Sequence, residues 1–271
     1  MAAATRVLII CACSTVLAVP ARADHDAYGV QLSWDNHARG FVGLAQLGLH
    51  SSEARLFYGL AQVGLWSNWS RDFVGLVQIG GYNDAQEFYG LAQVGVWNVE
   101  RQLFAGVTQL GVFNQGLREL YAVAQVGLIN SVERDFVGAF QIGLYNRAGR
   151  RDLLGASQIG LINLVEGDIY AVIGQIGLYN SVRTKFWGPL QLGLYNHASR
   201  FSGMAQVGAI NYVDDEILGA QIGPVNMARS VTGVQIGIFN YARTLHGVQL
   251  GLINMCRHGG LPFMVLGNVG F

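Results

Sequence analysis

A glutamine returns along this chain at a nearly constant interval. Gln31, Gln46, Gln62, Gln78, Gln93, Gln109, Gln125, Gln141, Gln158, Gln175, Gln191, Gln206, Gln221, Gln235 and Gln249 mark fifteen copies of one segment. They span 218 residues, an average spacing of about 15.6. A period this short limits the fold severely. Each copy must be the same structural unit, and a unit of that size cannot bury a core alone, so neighbours have to stack or pair.

The surroundings of each glutamine repeat as well. Glycine follows at +2 in fourteen copies, with Ser33 the exception, and asparagine stands at +5 in thirteen, with Ser51 and Ser67 as departures. From Gln46 onward no Asp, Glu, Lys or Arg falls between −4 and +4. The charges gather in links such as Arg71/Asp72, Glu133/Arg134/Asp135 and Asp214/Asp215/Glu216. The segment is about eleven residues long, rich in Val, Ile, Phe and Tyr, and bounded by Asn and a polar link, which predicts a strand. Two glycines inside a helix of that length would each cost on the order of 1 kcal/mol.

On a straight strand the side chains alternate. In the copy around Gln93, Phe88, Gly90, Ala92, Val94 and Val96 then share a wholly apolar face, while Tyr89, Leu91, Gln93, Gly95 and Trp97 share one with a single amide. Aromatics recur at both ends: Phe at −5 in eight copies from Phe41 to Phe201, and an aromatic at +4 in eight from Trp66 to Phe239.

Residues 1–23 have the pattern of a secretory signal peptide: Arg6, an apolar run from Val7 to Val19, and an Ala21-Arg22-Ala23 cleavage site. That run is too short to cross a bilayer as a helix. The remaining 24–271 carry no linker or composition break, which predicts a single repeat β domain. Losing Arg6 and Arg22 leaves 15 basic against 17 acidic residues. This balance excludes a nucleic-acid partner, which would need a basic stripe. Cys256 is then the only cysteine, so no internal disulfide is expected. The six histidines show no metal-ligand spacing, and no nucleophile elbow, P-loop or zinc-protease motif is present. Neither enzyme activity nor a cofactor or metal is expected.

The end of the chain, Leu261 to Phe271, drops the glutamine motif but still alternates. It resembles the last strand of bacterial outer-membrane barrels, which implies that Phe271 is an assembly signal. Fifteen copies plus this strand give about sixteen. The leading expectation is an all-β, roughly 16-stranded antiparallel transmembrane β-barrel, one strand per ~16-residue repeat, with an apolar band and aromatic girdles. The fourteen glutamines from Gln46 to Gln249 would form a mid-height ring, and the barrel would be either a surface-exposed structural protein or, with an open interior, a passive channel for small polar solutes. Stacked amides filling a repeat core are the structural alternative. Outer-membrane lipid and the outer-membrane assembly machinery would be the partners. Pro189 and Pro224 and the uniform four- to six-residue links fit a barrel poorly. The alternative is a parallel β-solenoid, one copy per coil, acting as an exported surface-binding or adhesive module.

The G-x-x-Q-x-G-x-x-N unit, over roughly Gly29 to Asn254, resembles the "surface repeat" family of exported bacterial proteins. The resemblance implies a cell-surface or outer-membrane location and carries no catalytic residues. The glycine at −3 moves to −2 in the last three copies, a departure from strict equivalence.

Overall fold

A computed structural model describes residues 26–149, 151–155 and 157–271. The expected signal peptide (1–23), with Cys11 and Cys13, lies outside the described residues. All regular structure among the described residues is β-strand. The chain divides into two compact units, Met1–Val112 and Phe113–Phe271. Six glutamine-centred copies fall in the first unit and nine in the second.

In the first unit Gln46 pairs in parallel with Gln62, Gln62 with Gln78, and Gln78 with Gln93. In the second, Gln125 pairs with Gln141, and the same register continues through Gln158, Gln175, Gln191, Gln206, Gln221 and Gln235. A residue paired in parallel with its counterpart about sixteen positions later must have travelled a full circuit in between. Each unit is therefore a parallel β-solenoid with one copy per coil.

The antiparallel barrel is overturned by this register. Its premise was a strand of membrane-crossing length, and the chain bends instead. The segments Ser157–Ile159, Ile162–Val165 and Ile169–Ala171 are three or four residues long. A bilayer crossing needs about nine to eleven. The copy around Gln158 is thus three short sides separated by two glycine corners and a charged link, and its neighbours pair with it in the same register.

The corners explain the recurring glycines. A Cβ on Gly80 would strike the Gly64 carbonyl oxygen of the preceding coil and stand 2.5 Å from the Asn68 amide nitrogen. In the last three copies the first corner is one residue shorter. Gly219, Gly233 and Gly247 turn there with φ of +140°, +140° and +148°, a region open to glycine. The inward apolar residue moves with it, to Ile217, Val231 and Leu245. Pro189 and Pro224 also sit at corners, where their carbonyls accept from Met204 and Ile238 of the next coil.

Because the chain bends, straight-strand alternation fails. Offsets −5, 0, +5 and +7 all point inward, as in Phe73, Gln78, Asn83 and Ala85. The −5 phenylalanines are thus interior residues and not a girdle. Phe41, Phe57, Phe73, Phe88 and Phe104 stack with centroids 4.7–5.0 Å apart and planes within 9°. That spacing is the strand separation of a sheet, about 4.8 Å. In the second unit Leu120, Phe136, Leu153 and Ile169 take the same place.

The last strand, Phe263–Gly270, runs antiparallel against the final coil, with Val248 opposite Val269. Asn268 donates to Gln249 Oε1 (3.3 Å), supplying a partner where no further glutamine follows. The strand covers an otherwise open sheet edge; it is a cap and does not close a barrel.

Ser51 and Ser67 turn out not to replace asparagine. Those copies carry one extra residue after the glycine, so Ser52 and Asn68 take the inward place and align with Asn83. Ser52 Oγ donates to the Val63 carbonyl (2.8 Å), leaving Asn68 Oδ1 buried without a donor. An asparagine at 52 would reach both groups. Ser52→Asn is expected to stabilise the first unit by about 1 kcal/mol, seen as a higher urea midpoint.

Candidate functional site

The fourteen glutamines from Gln46 to Gln249 are all fully buried. In the first unit each amide nitrogen donates to the glutamine oxygen one coil earlier, at 2.8–3.0 Å from Gln46 to Gln109. In the second unit the same bonds are 2.6–2.9 Å, from Gln141 to Gln249. The glutamines form ladders inside filled coils, where apolar side chains and asparagines occupy the remaining interior, so they line no conduit.

The asparagines form a second ladder of opposite polarity. Asn83 donates forward, to Asn98 Oδ1 (2.8 Å) and to the Val94 carbonyl (2.8 Å) of the next coil. Asn180 does the same with Asn196 (2.8 Å) and Leu192 (2.9 Å). Both amide hydrogens are used, and the two rows of dipoles oppose each other within each coil.

With the polar groups inside, much of the apolar sequence faces outward. The middle side of each coil, offsets −1 to +1, carries residues such as Ile79 and Leu110 in the first unit and Leu192 and Ile236 in the second. Leucines project from its two corners: Leu44, Leu60, Leu76 and Leu91 from one, Leu49 and Leu65 from the other. In the second unit Leu128, Leu144, Leu161, Leu178 and Leu194 project from the corner equivalent to the second of these. Past the corners stand aromatics, with Tyr58 and Tyr89 at −4 and Trp66, Tyr82 and Trp97 at +4. Trp66 is 70% exposed and Leu65 67%.

The size of the middle side follows from coil spacing. Nine coils at about 4.8 Å make about 38 Å in the second unit, and the five residues from corner to corner (−2 to +2) make about 16 Å across. The area is about 600 Å², against about 400 Å² for the six coils of the first unit; the former is at the upper end for a monomer's largest apolar patch.

The charges meet at the third corner. Asp84 accepts two bonds from Arg101 (2.6 and 2.8 Å), Arg147 pairs with Glu166 (2.6 Å) and Arg229 with Asp215 (3.1 Å). A recess there is lined by Arg118, Glu133, Arg134, Arg147 and Arg151. Arg147 already holds Glu166, and Arg151 lies 3.5 Å from Asp135.

One side-chain chain has the connectivity of a nucleophilic relay. Ser181 Oγ lies 3.1 Å from His197 Nδ1, and His197 Nε2 lies 3.1 Å from Asp214. Such a relay also needs free donors for an oxyanion. The backbone around Ser181 is paired on both sides, to Leu164 and to His197, and Ser199 shares the Asp214 carboxylate (2.9 Å). The geometry supports a surface hydrogen-bond cluster. Among the described residues no group of three or more His, Cys, Asp or Glu is arranged to hold a metal; His25 lies outside them. Phe271 is 95% exposed beyond the capping strand.

Sequence reasoning missed Glu100. It occupies the small interior row beside Ala85, and its Oε1 accepts from Gln93 (2.6 Å). Burial pushes its carboxyl well above the ordinary 4.5; Asp84 adds to the rise and the Gln93 bond opposes it. Its only sequence signal was an acid two residues after the repeated asparagine, where other copies carry a small or apolar residue (Ala, Val, Ser, Gly116 or Cys256).

Comparison with protein-family models, curated proteins and solved structures finds no match. The amide ladders and the coil-per-repeat architecture are those of a repeat family.

The Glu100 proton ties stability to pH. A carboxyl whose folded pKa is raised stabilises the fold fully below its unfolded value, near 4.5, and that contribution is lost as pH rises through the folded value. Wild-type stability of the first unit is expected to fall from pH 4 to pH 8. Glu100→Gln should flatten that slope and raise neutral-pH stability by about 1–3 kcal/mol, measured by urea titration across pH.

Proposed function

We propose that this chain is an exported β-solenoid that works as a surface-binding module, holding a rigid charge-free side against an apolar partner. One observation carries the reading: the −4 to +4 sector lacks charge in every copy from Gln46 onward, and its outward residues are solvent-exposed. A solenoid needs outward apolar residues neither for its ladders nor for its stacked interior. Water-facing positions on other repeat proteins carry polar side chains. Contiguous apolar surface of this extent marks an interaction site.

The A-x-A pattern ending at Ala23 and the likeness to surface-repeat proteins support export, with the cell surface or outer membrane as the destination. The charged corner then faces water.

The test is adsorption to an octyl-bearing matrix. Ile79→Asp and Leu192→Asp place a charge on the middle side of the two units, at outward positions that should leave folding intact. Each is expected to weaken adsorption at least about tenfold, the equivalent of about 1.4 kcal/mol. Thr184→Asp, at the charged corner, should leave it unchanged. Equal adsorption of all four proteins would overturn the reading.

A further inference from the structure

We infer that the partner of the apolar sector is lipid, and that the first unit lies on a bilayer with its middle side against the acyl chains and its Tyr and Trp rows at headgroup level. The inference rests on the surface-binding reading and names what is bound.

Three observations favour lipid over a second copy of the chain. The first is shape. The apolar sector does not stop at the flat middle side but wraps both corners to reach Tyr58 and Tyr89 on one flank and Trp66 and Trp97 on the other. A second flat solenoid would cover the middle and leave both flanks in water, whereas fluid chains follow the bend. The flat side also offers only about 400 Å², half of the roughly 800 Å² per partner typical of a stable protein interface.

The second is the orientation of the flanking tyrosines. Tyr82 and Tyr89 stand on opposite flanks, and both turn their hydroxyls away from the middle side. Tyr82 donates to Asp84 (3.2 Å) and Tyr89 to Glu87 (3.3 Å). Each ring is thus apolar toward the face and polar toward the charged corner, the arrangement that suits a side chain at a membrane–water boundary. These rows begin one to two residues past the corners, roughly 5 Å below the plane of the middle side at about 3.3 Å per residue. Interfacial amphipathic elements sink their apolar face about 5–10 Å.

The third is charge. Residues 26–112 carry 4 basic against 7 acidic side chains, so the first unit's rim has no basic excess to seek anionic lipid, and the complement is a neutral zwitterionic headgroup.

Trp69 provides an internal control. It lies three residues from Trp66 but in the outward row of Glu53 and Asp84, beside the charged corner. The experiment takes the chain 24–271 in single-tryptophan forms, the other tryptophans changed to phenylalanine, and adds phosphatidylcholine vesicles with brominated acyl chains. Trp66 and Trp97 should shift their emission to the blue and lose most of it to quenching, while Trp69 keeps both position and intensity. Equal quenching of Trp66 and Trp69, or quenching of neither, overturns the lipid inference. If neither is quenched and Ile79→Asp still weakens octyl adsorption, the surface-binding reading stands without lipid. If Ile79→Asp leaves adsorption unchanged as well, both fall.

Discussion

An amide removed from water must find partners for its hydrogens and its oxygen, or the fold loses about 1–3 kcal/mol for each group left bare. This chain buries two amide side chains in nearly every coil. The arrangement that satisfies all of them is an in-register stack, in which each glutamine meets another glutamine one strand spacing above and below. Parallel register, a nearly constant coil length and the capping asparagine at position 268 follow from that demand. So does the opposed polarity of the two ladders: asparagine donates toward the C-terminus and glutamine toward the N-terminus. Each coil thereby avoids summing both rows of dipoles in one direction.

The same demand leaves little room for anything else. A coil of about sixteen residues turns only a few side chains inward: one apolar residue at the first side, the glutamine, the asparagine and one small residue. The remaining aliphatic residues have no interior to enter. Their outward placement is a geometric consequence of the narrow coil, but their freedom from charge is not. Outward positions near the link do carry charge, as at Arg101 and Arg147. The partition between charge-free and charged sides therefore reports on what the outside meets, and it is the feature from which a binding function follows.

Several features were legible in the residues. The period, the strand character, the charge-free window and the recurrence of glutamine and asparagine were all visible, as was the departure at Ser33 in the first copy. Ser51 and Ser67 misled because alignment by offset cannot see a one-residue insertion; Ser52 and Asn68 hold the inward place only because their backbone pairs with Asn83's row. The −5 phenylalanines misled for a related reason. On a straight strand they fall on the face opposite the glutamines, and only a bend between them brings both inside.

The sequence by itself determined the repeating unit, its extended backbone and the separation of charge from aliphatic surface, because these depend on residue type and short-range spacing. Phe at −5, Gln at 0 and Asn at +5 stand five residues apart, an odd interval that a flat strand would send to alternating faces. Whether the chain stays flat or turns depends on what lies beside each glycine. In this fold that neighbour is the carbonyl of the coil before, as at Gly80 beside Gly64. Only the tertiary structure could decide between paired hairpins and stacked coils, since the contact that forces the bend is made between residues a full repeat apart.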